Sequence, residues 1–122
     1  MDRRYQISVG RAGEFFVAYK LQLANLEVSH VDGSCDLHVM LPSRRLLRLE
    51  VKTALAVTKY GSYKFNKGGS DSDFYAMVAL PENQLRIFHI SEITAKFTLT
   101  FRPADFTQQA EDDDIAKLLL LQ

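Results

Sequence analysis

Apolar and polar positions alternate with a period of two along most of this chain, with a helical spacing near each end. Ala12, Phe15, Phe16, Tyr19 and Leu23 recur at helical intervals and predict a helix from Gly10 to about Asn25, with Ser8 as its N-cap. Glu14 sits at the margin of that buried face. Leu26–Val31 reads as a strand and Asp32-Gly33 as a turn. Asp36–Met40, Arg45–Lys52, Phe74–Leu80 and Gln84–Ile90 read as four more strands, the last two joined through Pro81-Glu82-Asn83. Ser91-Glu92-Ile93 starts a short helical turn, and Lys96–Phe101 is a further strand. In the tail, Asp112, Asp113 and Asp114 precede Ile115-Ala116-Lys117-Leu118-Leu119-Leu120-Leu121, which predicts a helix with acids at its N-terminus and leucines against the sheet or another subunit.

The alternation also sorts the charges. Side chains two apart on a strand share a face, so Leu47, Leu49 and Val51 form a core row and Arg48, Glu50 and Lys52 form the opposite row. A loop of Pro42, Ser43 and Arg44 would pair Leu41 with Arg45, Met40 with Leu46, His38 with Arg48 and Asp36 with Glu50. Opposed side chains lie about 4.5–5.5 Å apart at Cβ. Two carboxylates that close repel unless a proton or cation intervenes, and hard oxygen donors suit Mg²⁺ or Mn²⁺. Lys52 stands one same-face step further on, about 7 Å away, where it can hold a water or offset phosphate charge. A loop one residue shorter or longer would turn Asp36 to the wrong face.

Composition narrows the class. The chain has 122 residues, 47% of them apolar and 25% charged, which fits one globular domain spanning 1–122. No run of about 18 apolar residues marks a membrane span, and Met1-Asp2-Arg3-Arg4-Tyr5 has no apolar signal region. Cys35 is the one cysteine, so an internal disulfide is excluded and a reducing cytoplasm is the expected setting. It reads as a small buried hydrophobe. His30, His38 and His89 have no zinc-ligand spacing, and the three consecutive tail aspartates diverge too far around a helix to share one ion.

Net charge is zero, but residues 1–70 hold eleven Lys/Arg against six Asp/Glu, and residues 71–122 hold four against nine. That asymmetry suggests a basic face for a phosphate backbone. Lys59, Tyr60, Tyr63, Lys64, Phe65 and Lys67 interleave cations with rings beside a flexible Gly68-Gly69-Ser70 tip. Such a mixture grips phosphates and stacks on bases; alternation of Tyr63 and Phe65 equally fits the core face of a strand. Arg11, Lys59, Tyr63, Lys64 and Lys67 are the candidate DNA contacts. Asp73 is expected in a turn or cap.

A leading helix with Gly13-Glu14, then Asp36-Leu37, then Glu50-Val51-Lys52 after a short hairpin, resembles the PD-(D/E)xK nuclease family. The likeness is greatest to its small bacterial and phage endonucleases, related to Holliday-junction resolvases and some intron-encoded endonucleases. It runs from about Val9 to Ile90 and takes in Gly61-Ser62-Tyr63 with Phe65, and Asp73-Phe74-Tyr75. Ser34-Cys35 replaces the proline frequent before the aspartate.

The resemblance implies an α/β fold with a restriction-endonuclease-like core, a central mixed sheet flanked by helices. It implies Mg²⁺-dependent hydrolysis of DNA phosphodiester bonds, with Mn²⁺ able to substitute. Asp36, Glu50 and the Val51 carbonyl would hold the metal. Lys52 would orient the attacking water, and Glu14 would be an auxiliary acid or, as a first-turn acid, a partner of the helix dipole. One site per chain cuts one strand, so a homodimer or homotetramer would be expected. A junction resolvase, or a catalytically idle nuclease-like DNA-binding module, are the alternatives.

Overall fold

The computed structural model describes residues 3–31, 35–68, 71–93 and 98–122. The helix α1 (Arg3–Leu23) leads into β1 (Glu27–His30), β2 (Leu37–Met40) and β3 (Leu46–Ala54). Then follow β4 (Tyr63–Asn66), β5 (Phe74–Ala79), β6 (Gln84–His89), β7 (Thr98–Phe101) and α2 (Gln108–Leu119). Five strands form one sheet in the order β1-β2-β3-β5-β6, and β4 pairs with β7 in a second sheet. All pairs are antiparallel except β3 with β5, so the main sheet is mixed. This is the mixed α/β architecture expected from sequence. The Asp32-Gly33 turn and the first residues of the Lys96–Phe101 strand lie outside the described residues.

The β2–β3 hairpin has the anticipated register. Met40 faces Leu46 and His38 faces Arg48, and the Leu41 N–H donates to the Arg45 carbonyl at 2.9 Å. Arg44 closes the loop at φ 73°, in the left-handed conformation that three-residue hairpin loops place last. Along β3, Leu47, Leu49 and Val51 are buried, while Arg48 is exposed and Glu50 and Lys52 are half-buried.

Both faces of the sheet are covered, but unequally. One face packs Leu37, Val39, Leu47, Leu49, Val51, Ala76 and Ile87 against Val17 and Leu21 of α1 and Leu118 of α2. The other packs Tyr75, Met77 and Ala79 against Tyr63 and Phe65 of β4, with Phe106. Strand β5 therefore lies between two layers and is buried at all six positions.

Two helical expectations need correction. Helix α1 begins at Arg3, and Ser8 lies inside it with its Oγ donating to the Arg4 carbonyl at 3.0 Å, so it is no cap. Its buried residues are Gly13, Val17, Ala18 and Leu21, whereas Phe15, Tyr19 and Leu23 of the predicted stripe are exposed. Small residues decide this: a Cβ at Gly13 would overlap Thr53 Oγ1, so only glycine lets the helix approach β3 this closely. The tail acids also differ. Helix α2 is capped by Thr107, whose side chain accepts the Ala110 N–H, leaving the aspartates mid-helix and Asp114 buried. Among the described residues no helix is long and apolar enough to cross a membrane.

Candidate active site

The β2–β3 ladder ends at Leu37 opposite Leu49, and there the two strands part. Asp36, just before β2, fills the gap. Its backbone N–H donates to the Leu49 carbonyl at 3.1 Å, and its Oδ2 accepts the Val51 N–H at 2.8 Å. A carboxylate thus takes the place of the next backbone acceptor and is held at a fixed height beside β3. One residue before Val51, Glu50 rises on the charged face, and one residue after it so does Lys52. Lys52 Nζ and Glu50 Oε1 lie 3.5 Å apart, both largely shielded from water. Helix α1 contributes Glu14 across the gap, and Glu14, Asp36, Glu50 and Lys52 line one cavity of about 430 Å³.

The electrostatics show how close these groups are. Burial pushes the Glu50 carboxyl above its ordinary value, and Asp36 pushes it further, with Lys52 opposing and Glu14 adding. Burial and then Asp36 likewise raise Glu14, against His30 and Arg11. Glu14 and Glu50, facing the Asp36 carboxylate across a half-buried gap, hold their protons more tightly than in water. Burial also raises the Cys35 thiol, reinforced by Glu50 and Asp36, so Cys35 stays protonated and unreactive.

Several neighbours position the site. Gly68 (φ +63°) passes so near that a Cβ there would sit 3.3 Å from Lys52 Nζ. Asp73, expected in a turn or cap, does more. It accepts the Arg48 backbone N–H at 2.9 Å and pairs with the Arg48 guanidinium at 3.2 Å, tying the start of β5 to β3. Burial raises its carboxyl, but the Arg48 N–H and guanidinium outweigh that and leave it below the usual range.

The candidate DNA contacts are divided. Lys59 and Lys64 are exposed, the former over the Tyr60 ring at 5.1 Å. Lys67 is half-buried, and Arg11 lines a cavity that adjoins Glu14 and Asp36. Tyr63 is a correction. It is 1% exposed, its phenol donates to Glu82 at 2.7 Å, and burial with that bond pushes its pKa up to about 12. The strand's core face claims it, and the exposed ring of the segment is Tyr60, at 81%. Two further side chains beside the acids escaped the sequence. Phe15 resembled a core residue, and His30 was one of three scattered histidines; pairing β1 with β2 brings His30 Nδ1 to 4.0 Å from Glu14 Oε1.

The chain is a mixed α/β fold with a carboxylate–lysine cluster where two of its strands part. Among solved structures it resembles a bacterial homing endonuclease, I-Ssp6803I, with a TM-score of 0.69 and 19% sequence identity, covering 77% of this chain and 72% of that one. At that identity the likeness concerns the fold. No protein-family model and no curated protein sequence matches the chain.

Proposed function

We propose that this protein is a metal-dependent DNA endonuclease of the PD-(D/E)xK type. One observation carries the proposal: Asp36, Glu50 and Lys52 line a single cavity where β2 and β3 part, in a fold shared with an endonuclease. The donor set fits a hard divalent cation. Asp36 and Glu50 offer carboxylate oxygens whose mutual repulsion a cation would relieve, and the Val51 carbonyl directly follows Glu50 in the chain. Among the described residues no three His, Cys, Asp or Glu side chains group around an ion, so water would complete the shell of Mg²⁺. Bound there, Mg²⁺ (or Mn²⁺) lowers the pKa of water and stabilises charge on the phosphoryl oxygens.

The remaining roles belong to the chain. Val51, through its N–H, fixes the Asp36 carboxylate. Lys52, beside Glu50, holds the attacking water and meets the charge that gathers on the phosphate. Glu14 would act as an auxiliary acid, hydrogen-bonded to a second water. Lys59 and Lys64 would meet the DNA backbone. Cutting both strands would need a second copy, as a homodimer or homotetramer.

The test is cleavage of linear duplex and of four-way junctions in Mg²⁺ and Mn²⁺. Glu50→Ala and Lys52→Ala should each lose at least ~100-fold in rate, the scale of removing one group that acts on the transition state. DNA binding with no metal-dependent cutting by the intact protein would make it a binding module. Preferred cutting of junctions would make it a resolvase.

A further inference from the structure

A second cavity, of about 550 Å³, shares Glu14 and Asp36 with the candidate active site but is not lined by Glu50 or Lys52. Its other walls include Arg11, Phe15 and His30. Phe15 is 63% exposed on a helix that buries the opposite side, so the core does not account for it. Its ring lies 4.8 Å from that of His30, centroid to centroid, with the planes tilted by 53°. His30 Nδ1 is in turn 4.0 Å from Glu14 Oε1. A pair of exposed rings, an arginine and a pocket of small-ligand size, all next to acids that would act on a phosphodiester, match one kind of ligand.

We propose that this cavity receives one unstacked nucleotide of DNA, adjoining the phosphate to be cut. The inference rests on the endonuclease reading and specifies its substrate class. The base would stack on Phe15 and His30, since every base has a π-face and aromatic platforms hold single-stranded nucleotides in this way. Arg11 would meet a flanking phosphate, where a planar guanidinium binds well. Glu14 would accept from an exocyclic amine of the base. A paired nucleotide must first leave its stack, whereas one that is already unpaired need not. The protein therefore favours DNA with an unpaired nucleotide beside the cut, as in a bulge, a flap or a branch point.

The experiment uses duplexes carrying 2-aminopurine, either as a single-nucleotide bulge or fully paired, bound by the intact chain in Ca²⁺. The bulged duplex should bind more tightly, with the fluorophore quenched on binding. Phe15→Leu, which keeps an apolar side chain without a ring, should lose the quenching and weaken bulge binding ~10-fold; Phe15→Trp should retain both. Phe15 is exposed, so neither change threatens folding. Equal affinity for the two duplexes, or an unaltered Phe15→Leu protein, overturns the proposal. Glu50-dependent cutting of paired duplex without bulge preference would remove this subsite and leave the endonuclease. Ring-dependent bulge binding without cutting in any divalent metal would do the reverse.

Discussion

Glu50 destabilises the protein that carries it. Its folded-state carboxyl is raised above the ordinary 4.5 by burial and by Asp36, so the folded chain binds a proton more tightly than the unfolded one. Without metal, stability then falls as pH rises from that value through the raised one, and returns on acidification. Glu50→Gln should raise the thermal midpoint of the metal-free protein at neutral pH, by an amount that shrinks towards pH 4.5, while cleavage is lost. Thermal scans at a series of pH values check this; a destabilised variant would mean that Glu50 is held by Lys52 more than it is strained. Gly13 carries the opposite signature. Gly13→Ala would drive a methyl into Thr53 Oγ1 and should cost about 1–3 kcal/mol in urea denaturation, despite the better helix propensity of alanine. Among single residues, Glu50 and Lys52 were legible because strand alternation puts them on one face. Asp36 was expected opposite Glu50 in the ladder, but the ladder ends at Leu37, and hydrogen bonds of its own to Leu49 and Val51 bring Asp36 to the site. Phe15 and Tyr63 were not legible, because a ring at a periodic position looks alike whether it meets core or water, and only the packing of Gly13 and Val17 decides which way α1 turns.

Among the elements, β6 shows how tertiary structure uses charges that looked merely helical. It is an edge strand of the main sheet, and α2 covers the edge with carboxylates in place of another strand. Glu111 Oε1 accepts the Leu85 N–H at 3.0 Å, and Asp114 Oδ2 accepts the Ile87 N–H at 2.9 Å. Lys20 pairs with Glu111 at 3.0 Å and Arg86 with Asp114 at 2.8 Å, so both buried acids are matched. An edge closed in this way offers no ladder to another chain. Asp114→Ala would leave Arg86 and a backbone N–H without their partner and should cost about 3 kcal/mol or more. The midpoint of chemical denaturation measures it, and a loss below about 0.5 kcal/mol would assign the docking of α2 to Leu118 and its apolar neighbours instead. Sequence placed the tail acids at a helix start, since charge near a helix usually serves its dipole. Partners 26 and 27 positions away in the chain leave no local pattern.

For the molecule as a whole, the uneven cover of the sheet creates the site. The β4–β7 layer packs over β5 and the end of β3 with Tyr63, Phe65 and Phe106. It stops short of the parting of β2 and β3, and there Glu50 and Lys52 remain only half-buried. Six of the strands and the hairpin register could be anticipated from alternation and turn residues, while β4 stood only as one of two readings of Tyr63 and Phe65. The parallel pairing of β3 with β5, with β4 set aside in another sheet, could not, because crossover topology depends on which faces fit together. The same limit hid the His30–Phe15 pocket, assembled from one helix, the end of an edge strand and the residues that lead into β2.

The endonuclease reading depends on a divalent cation gathering at Asp36 and Glu50. Anomalous diffraction from crystals soaked in Mn²⁺ would locate it. The account predicts one peak bonded to carboxylate oxygens of both residues and to the Val51 carbonyl, with Lys52 beside it. Saturating Mn²⁺ with no peak there, and Glu50 still paired to Lys52, would contradict it.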